Sequence, residues 1–219
     1  MKYYKVLNEG MSPYANYDYS PYLPQDGKPG KWLPKVDNLE LCESGYHVTD
    51  AEHLINWIDG NQLFEVETNG KVLQGNDKIT CKQIRLVRQI KGWHDKNLRL
   101  FACWCAEQVL PIYEHEYPDD NRPRKAIEAS RAYASGAVSM EELSVARDAA
   151  WAAALAAARA AAWAGDAAWD AARAAAWAWD AARDAARAAA MAAARAGAGA
   201  GDAARDAQAK KLVEMVEAE

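Results

Sequence analysis

From Asp148 to Arg195 the chain is almost all alanine, broken only by Trp, Asp, Arg, Leu, Met and Gly. Alanine has the highest intrinsic helix propensity, and nothing β-branched interrupts the run, so this stretch has to be helical. The run is also a repeat. AAALAAARAAAWAG (Ala152–Gly165), DAAWDAARAAAWAW (Asp166–Trp179) and DAARDAARAAAMAA (Asp180–Ala193) align without gaps. The larger residues of each block fall within an arc of roughly 100° on a helix, and alanine covers the rest. This stripe mixes Trp with Asp and Arg. Asp170/Arg173 and Asp184/Arg187 stand three apart, in reach of ion pairing. Arg159/Trp163 and Arg173/Trp177 stand four apart, suited to cation–π contact.

One straight helix over 139–196 would run about 87 Å, far longer than a domain of this size. Gly165–Asp166 supplies a stop followed by a cap. The expectation is therefore a break or bend there, giving a helical bundle or long helical hairpin.

The residues before the run have another character. KYYKVL (2–7) reads as a strand and is followed by a long loop rich in Tyr, Pro and Gly, with its tyrosines laid over the sheet. Residues 45–48 form a short strand. Thr49 and Asp50 are candidate N-caps, with Glu52 completing a capping box from Thr49, for a helix over AEHLINWI, residues 51–58. LFEVET (63–68) alternates like a strand with Glu65 and Glu67 on its solvent face, and Asn69-Gly70-Lys71 signals a hairpin turn. One or two more strands occupy 78–90. At Trp93 the period turns helical. A helix over 98–113 is predicted, kinked or ended by Pro111. A second helix starts near Asn121 and Pro123 and stops at Gly136. Ser139 and Glu142 form a capping box that opens the long helical stretch. GAGAG (197–201) closes that stretch, and Asp202 starts a last amphipathic helix with Leu212, Val213 and Val216 on one side. The predicted class is α+β: a small mixed α/β domain over 1–91, then an all-α, Ala-rich helical domain over 92–219.

Composition narrows the function. A formal net charge of −5 lacks the basic excess of a nucleic-acid binder. Charges recur too often along the Ala run for a membrane span, and MKYYKVLNEG has no apolar signal core. A cytoplasmic protein is expected. The four cysteines have no CxxC spacing. Cys103 and Cys105 stand two apart on a predicted helix and point in nearly opposite directions. No catalytic constellation, metal site or cofactor motif stands out.

Two resemblances add to this reading. CESGYHVTDAEHLINWIDGNQLFEVET resembles one piece of the ADP-ribosyltransferase fold. That resemblance implies a nicotinamide pocket lined by His47 and Thr49, with Tyr3 or Tyr4 on the first strand; no catalytic Glu motif follows. The stretch NLRLFACWCAEQVLPIYEHEYPDDNRPRKAIEASRAYASG, and with it residues 93–219, resembles the bacterial and phage immunity proteins of the Imm-5-like group. Asp119, Asp120, Arg122, Pro123 and Arg124 are the most specific part. The front domain resembles small domains of phage proteins.

The immunity-like resemblance implies a non-enzymatic inhibitor that occludes a protein partner: a toxin, an effector or, for a phage anti-defence protein, a host defence complex. The candidate partner-binding residues are Trp163, Trp177, Trp179, Asp180, Arg183, Asp184 and Arg187. The alternatives are an ADP-ribosyltransferase-like enzyme with a helical targeting domain, and a structural module that forms homo-oligomers through its Ala faces.

Overall fold

The structure is a computed structural model that describes residues 2–160, 170, 173–175, 177, 182–196 and 199–218; the side chains of 155–160, 182, 183, 185, 186 and 196 are not described. The fold is α+β. The chain forms two compact units, one of residues 1–94 with 213–219 and the other of residues 95–212.

The first unit is a closed antiparallel barrel of four strands in the order β1-β2-β4-β3. They are β1 (Tyr3–Leu7), β2 (Tyr46–Asp50), β3 (Gln62–Gln74) and β4 (Ile79–Gln89). Closure removes the free edges that a four-stranded sheet would otherwise show. Leu7, Val48, Phe64, Val66, Ile79, Cys81, Ile84 and Leu86 fill the core. The Tyr-rich loop packs on it through Tyr19 and Leu33, with Tyr17 and Tyr22 beside them. Past the loop, Gly30, Leu33 and Val36 donate backbone hydrogen bonds to Leu86, Ile84 and Lys82 of β4. Glu65 and Glu67 stand opposite Arg88 and Arg85 and pair with them, as a solvent face of alternating charge allows.

Two expectations fail here. The helix over 51–58 is replaced by one 3₁₀ turn, Leu54–Trp57. Strand β2 continues through Asp50, which pairs with Tyr3, and the few residues left cannot offset the cost of helix nucleation. Of the two candidate caps, Asp50 makes a bond here: its carboxylate accepts the N–H of His53, the residue before the turn, at 3.0 Å. Asn69-Gly70-Lys71 does not turn the chain either. Strand β3 runs through it with a bulge between Asn69 and Val72, where Gly70 takes φ +88°. Two residues there oppose one on β4, a place where glycine avoids the Cβ clash of positive φ. The reversal comes at Gly75–Lys78, closed by a 2.8 Å backbone bond.

The second unit is helical. Its described helices are α1 (Asp95–Glu116), α2 (Arg122–Ala134), α3 (Met140–Ala160), α4 (Ala182–Ala196) and α5 (Ala200–Glu217), of which α5 carries the chain into residues 213–217 of the first unit. Helix α1 continues past Pro111 to Glu116, so Pro111 does not end it. Pro111 is solvent-exposed, so the carbonyl it leaves unbonded can turn to water. Helix α2 stops as its sequence predicts. Gly136 takes φ +76°, its N–H bonds Tyr133, and the Ala137 N–H reaches back to Ala132, a full Schellman closure. The Ser139 capping box forms in both directions: the Ser139 N–H donates to Glu142 at 2.8 Å, and the Glu142 N–H to the Ser139 hydroxyl at 3.2 Å.

The Ala run is not one helix. The rings of Trp151 and Trp177 lie 6.2 Å apart. In a continuous helix 26 residues would separate them by about 39 Å. The chain therefore reverses between them. Asp170 in turn meets Arg195 of α4. The expected break at Gly165 lies outside the described residues.

Candidate partner-binding face

The motif DDNRPR sits at the turn between α1 and α2. Asp120 accepts two bonds from the Arg122 guanidinium, at 2.8 and 2.5 Å, and one from the Tyr113 hydroxyl at 2.6 Å. The side-chain bond from Arg122, opposed by burial and reinforced by Tyr113, holds the Asp120 carboxyl well below the ordinary range. Arg124 reaches back to Glu114 of α1 in a two-bonded fork at 2.7 Å, and Arg131 does the same to Glu107. Pro123 occupies the first turn of α2, where its missing N–H is harmless. Asn121 precedes the helix but makes no side-chain cap bond. The conspicuous charges of this motif thus fasten two antiparallel helices together. Asp119, exposed beside them, stays at the surface.

The stripe of the repeat divides into a buried part and a presented part. Asp170 is fully buried and is flanked by Arg173, at 3.3 Å, and Arg195. A buried carboxylate needs such partners to stay ionised. The Arg173 guanidinium lies 4.2 Å over the Trp177 ring. Burial, and then the neighbouring Arg187 cation, lowers the Arg173 pKa, while Asp184 opposes the shift. Trp151 of α3 completes the group and remains 41 % exposed.

Of the candidate residues, the structure therefore gathers Trp177, Asp184 and Arg187 around Arg173. Trp177 and Asp184 are half-buried and Arg187 is exposed. Trp163, Trp179 and Asp180 lie outside the described residues, as does the side chain of Arg183. Trp151, a tryptophan of the same stripe one residue before the first repeat block, joins this face through its ring contact with Trp177.

Cys103 and Cys105 are buried free thiols of α1, both pushed up by burial. Among the described residues no cluster of His, Cys, Asp or Glu could hold a metal ion. No described helix is long and apolar enough to cross a membrane. Of the residues named for a nicotinamide pocket, Tyr4, His47 and Thr49 line one small cavity of the barrel and Tyr3 does not. No acidic side chain lines it.

A barrel joined to an antiparallel helical unit, with an aromatic and charged patch on the helices, defines an α+β protein whose helical part carries the candidate recognition surface. The family model described as Imm-5 like putative immunity protein matches residues 89–218. That is more than half of the chain, and the chain belongs to this family. The match leaves residues 1–88 unassigned. No curated protein and no solved structure matches the chain.

Proposed function

We propose that this protein is an immunity-type inhibitor that acts without catalysis, binding a toxin or effector protein and covering its working surface. Family membership over the helical unit carries this reading. The face around Trp151, Trp177, Asp184 and Arg187 is the contact surface we assign to it, extended along the repeat by Trp163, Trp179, Asp180 and Arg183. Tryptophan and arginine dominate the energetics of protein interfaces because each combines large contact area with a polar handle. Trp151 is already partly exposed, and Arg173 holds Trp177 in place behind it. A host defence complex in place of a toxin would use the same chemistry.

The test is protection. Cells producing a cognate toxin should survive when the full chain is co-expressed, and the two proteins should co-purify. Trp151→Ala with Arg187→Glu should abolish protection while circular dichroism and melting temperature stay near wild type. Full protection by that double variant would remove the assigned face, and failure of the wild-type chain to bind or protect would remove the reading itself.

A further inference from the structure

The outward face of the barrel carries two buried polar atoms with nothing to bond. Tyr46, Val48, Ile79 and Cys81 belong to the core. Side chains alternate along a strand, so His47 and Thr80, which stand directly opposite each other on β2 and β4, face outward together. The Cβ atoms of such a pair are about 5 Å apart. Thr80 is fully buried. Its Oγ1 and the Nε2 of His47 both lack a hydrogen-bond partner. Leaving such groups unpaired is costly, and two on one spot point to a partner that serves both.

A cavity of about 40 Å³ adjoins His47, lined also by Thr49, Lys78, Trp57 and Tyr14. One water-sized particle takes up roughly 10–15 Å³ of such space, so the cavity suits a single small ion and not an organic body. Its surroundings are positive. The Lys78 ammonium stands 5.8 Å from the Trp57 ring, and among the described residues no carboxylate pairs with it. No acidic side chain lines the cavity. Burial, and then the Lys5 and Lys78 cations, holds the His47 imidazole below its ordinary range, so it is neutral near pH 7 and able to donate from one nitrogen. Lys5 acts through its charge alone: it lies on the core face of β1 between Tyr3 and Leu7, with its ammonium on the His47 carbonyl. Two cations thus act on His47 and no anion does. An ammonium offers only donors, and the imidazole N–H and the Thr80 hydroxyl can both donate. A water would bond these groups but leave the charge unbalanced, whereas a small anion does both.

We propose that this cavity binds one chloride ion, with the Lys78 ammonium as its counter-charge, the His47 Nε2–H as a donor and the Thr80 hydroxyl as a second donor from across the strand pair. These residues precede the family match, and the site does not depend on toxin binding.

The probe is sodium chloride, titrated into the full chain in sodium gluconate at constant ionic strength. The ring signals of His47 in NMR should move saturably with chloride, and sodium bromide should act alike. Lys78→Met should weaken chloride at least about tenfold, the loss expected when a charged hydrogen-bond donor is removed. Crystals of the wild-type chain soaked in bromide should show one anomalous peak beside His47; this readout stands whether or not the variant folds. Unmoved His47 signals at hundreds of millimolar chloride, a Lys78→Met chain that binds chloride as tightly as wild type, or an ordered water only at the bromide position would each overturn the proposal.

Discussion

Two buried charges show how differently this chain handles ionic groups. Burial pushes the Lys5 ammonium down to about 8, with Cys81 a smaller opposing influence. The unfolded chain then binds more protons than the native one between about 8 and the ordinary lysine value near 10.4. Lys5 therefore destabilises the barrel fully below pH 8, and that penalty fades as pH rises through this window. The thiol of Cys81, raised to about 11 by burial, works in the opposite sense above pH 9. Comparing wild type with Lys5→Met cancels most of the cysteine contribution. The methionine variant is expected to be more stable at pH 7, by a few kcal/mol, with the gap closing by pH 10. Denaturant unfolding at several pH values measures it; a variant less stable at pH 7 would contradict this account.

Asp170 is the converse case, a buried charge bracketed by Arg173 and Arg195. Asp170→Asn leaves two arginines without their counter-ion and should cost about 3–5 kcal/mol, read as a fall in the melting temperature of the helical unit. Replacing it with leucine would not restore stability, because the arginines would remain.

At the scale of elements, local chemistry sets the ends of the helices. Gly136 has nothing within 4 Å of where a Cβ would stand, so Gly136→Ala tests backbone conformation alone. It should cost about 1–2 kcal/mol, the penalty for an L-residue held at positive φ. Ser139→Ala removes one half of the capping box and should cost about 1 kcal/mol. Both ends were legible because each depends on residues three to five apart. The 51–58 helix and the Asn69-Gly70 hairpin were misread for the opposite reason. The first is overridden by the pairing of Asp50 with Tyr3, and the second by β4 lying alongside β3 past Gly70. Both partners are distant in sequence, and no local signal reports them.

Across the whole molecule, the chain ends return to one unit. Within it, Glu217 accepts the Tyr4 hydroxyl at 2.6 Å and the Lys2 ammonium at 2.9 Å. Burial acts to raise the Glu217 carboxyl, but the bonds from Tyr4 and Lys2 outweigh it, and its pKa is lowered. Its stabilising effect is present above the ordinary glutamate value and lost as pH falls through the lowered one. The buried Val216 backbone packs so closely on Gly92 that no Cβ fits there. Deleting residues 213–219 should lower barrel stability by about 3–6 kcal/mol, the sum of one buried valine and one charged hydrogen bond. Loss of protection of barrel amides in hydrogen exchange would report it, and unchanged protection would show that these contacts add nothing.

The sequence by itself determined that the described stretches Met140–Ala160 and Ala182–Ala196 are helical and that an α-rich region follows a β-rich one. It also determined where capping boxes and glycines end helices. These properties follow from propensity and from contacts within one turn. Its motif resemblance to the immunity family was legible too, because Asp119–Arg124 is a contiguous signature. Tertiary structure alone decided that four strands close into a barrel, that the Ala run folds back to set Trp151 on Trp177, and that the stripe buries Asp170 yet leaves Trp151 exposed. It alone buried Lys5 in the barrel with its ammonium on the His47 carbonyl. The physical reason is common to all of these. A helix or strand specifies its own faces through its period, but which face meets solvent depends on the partner that covers the other, and that partner comes from elsewhere in the chain.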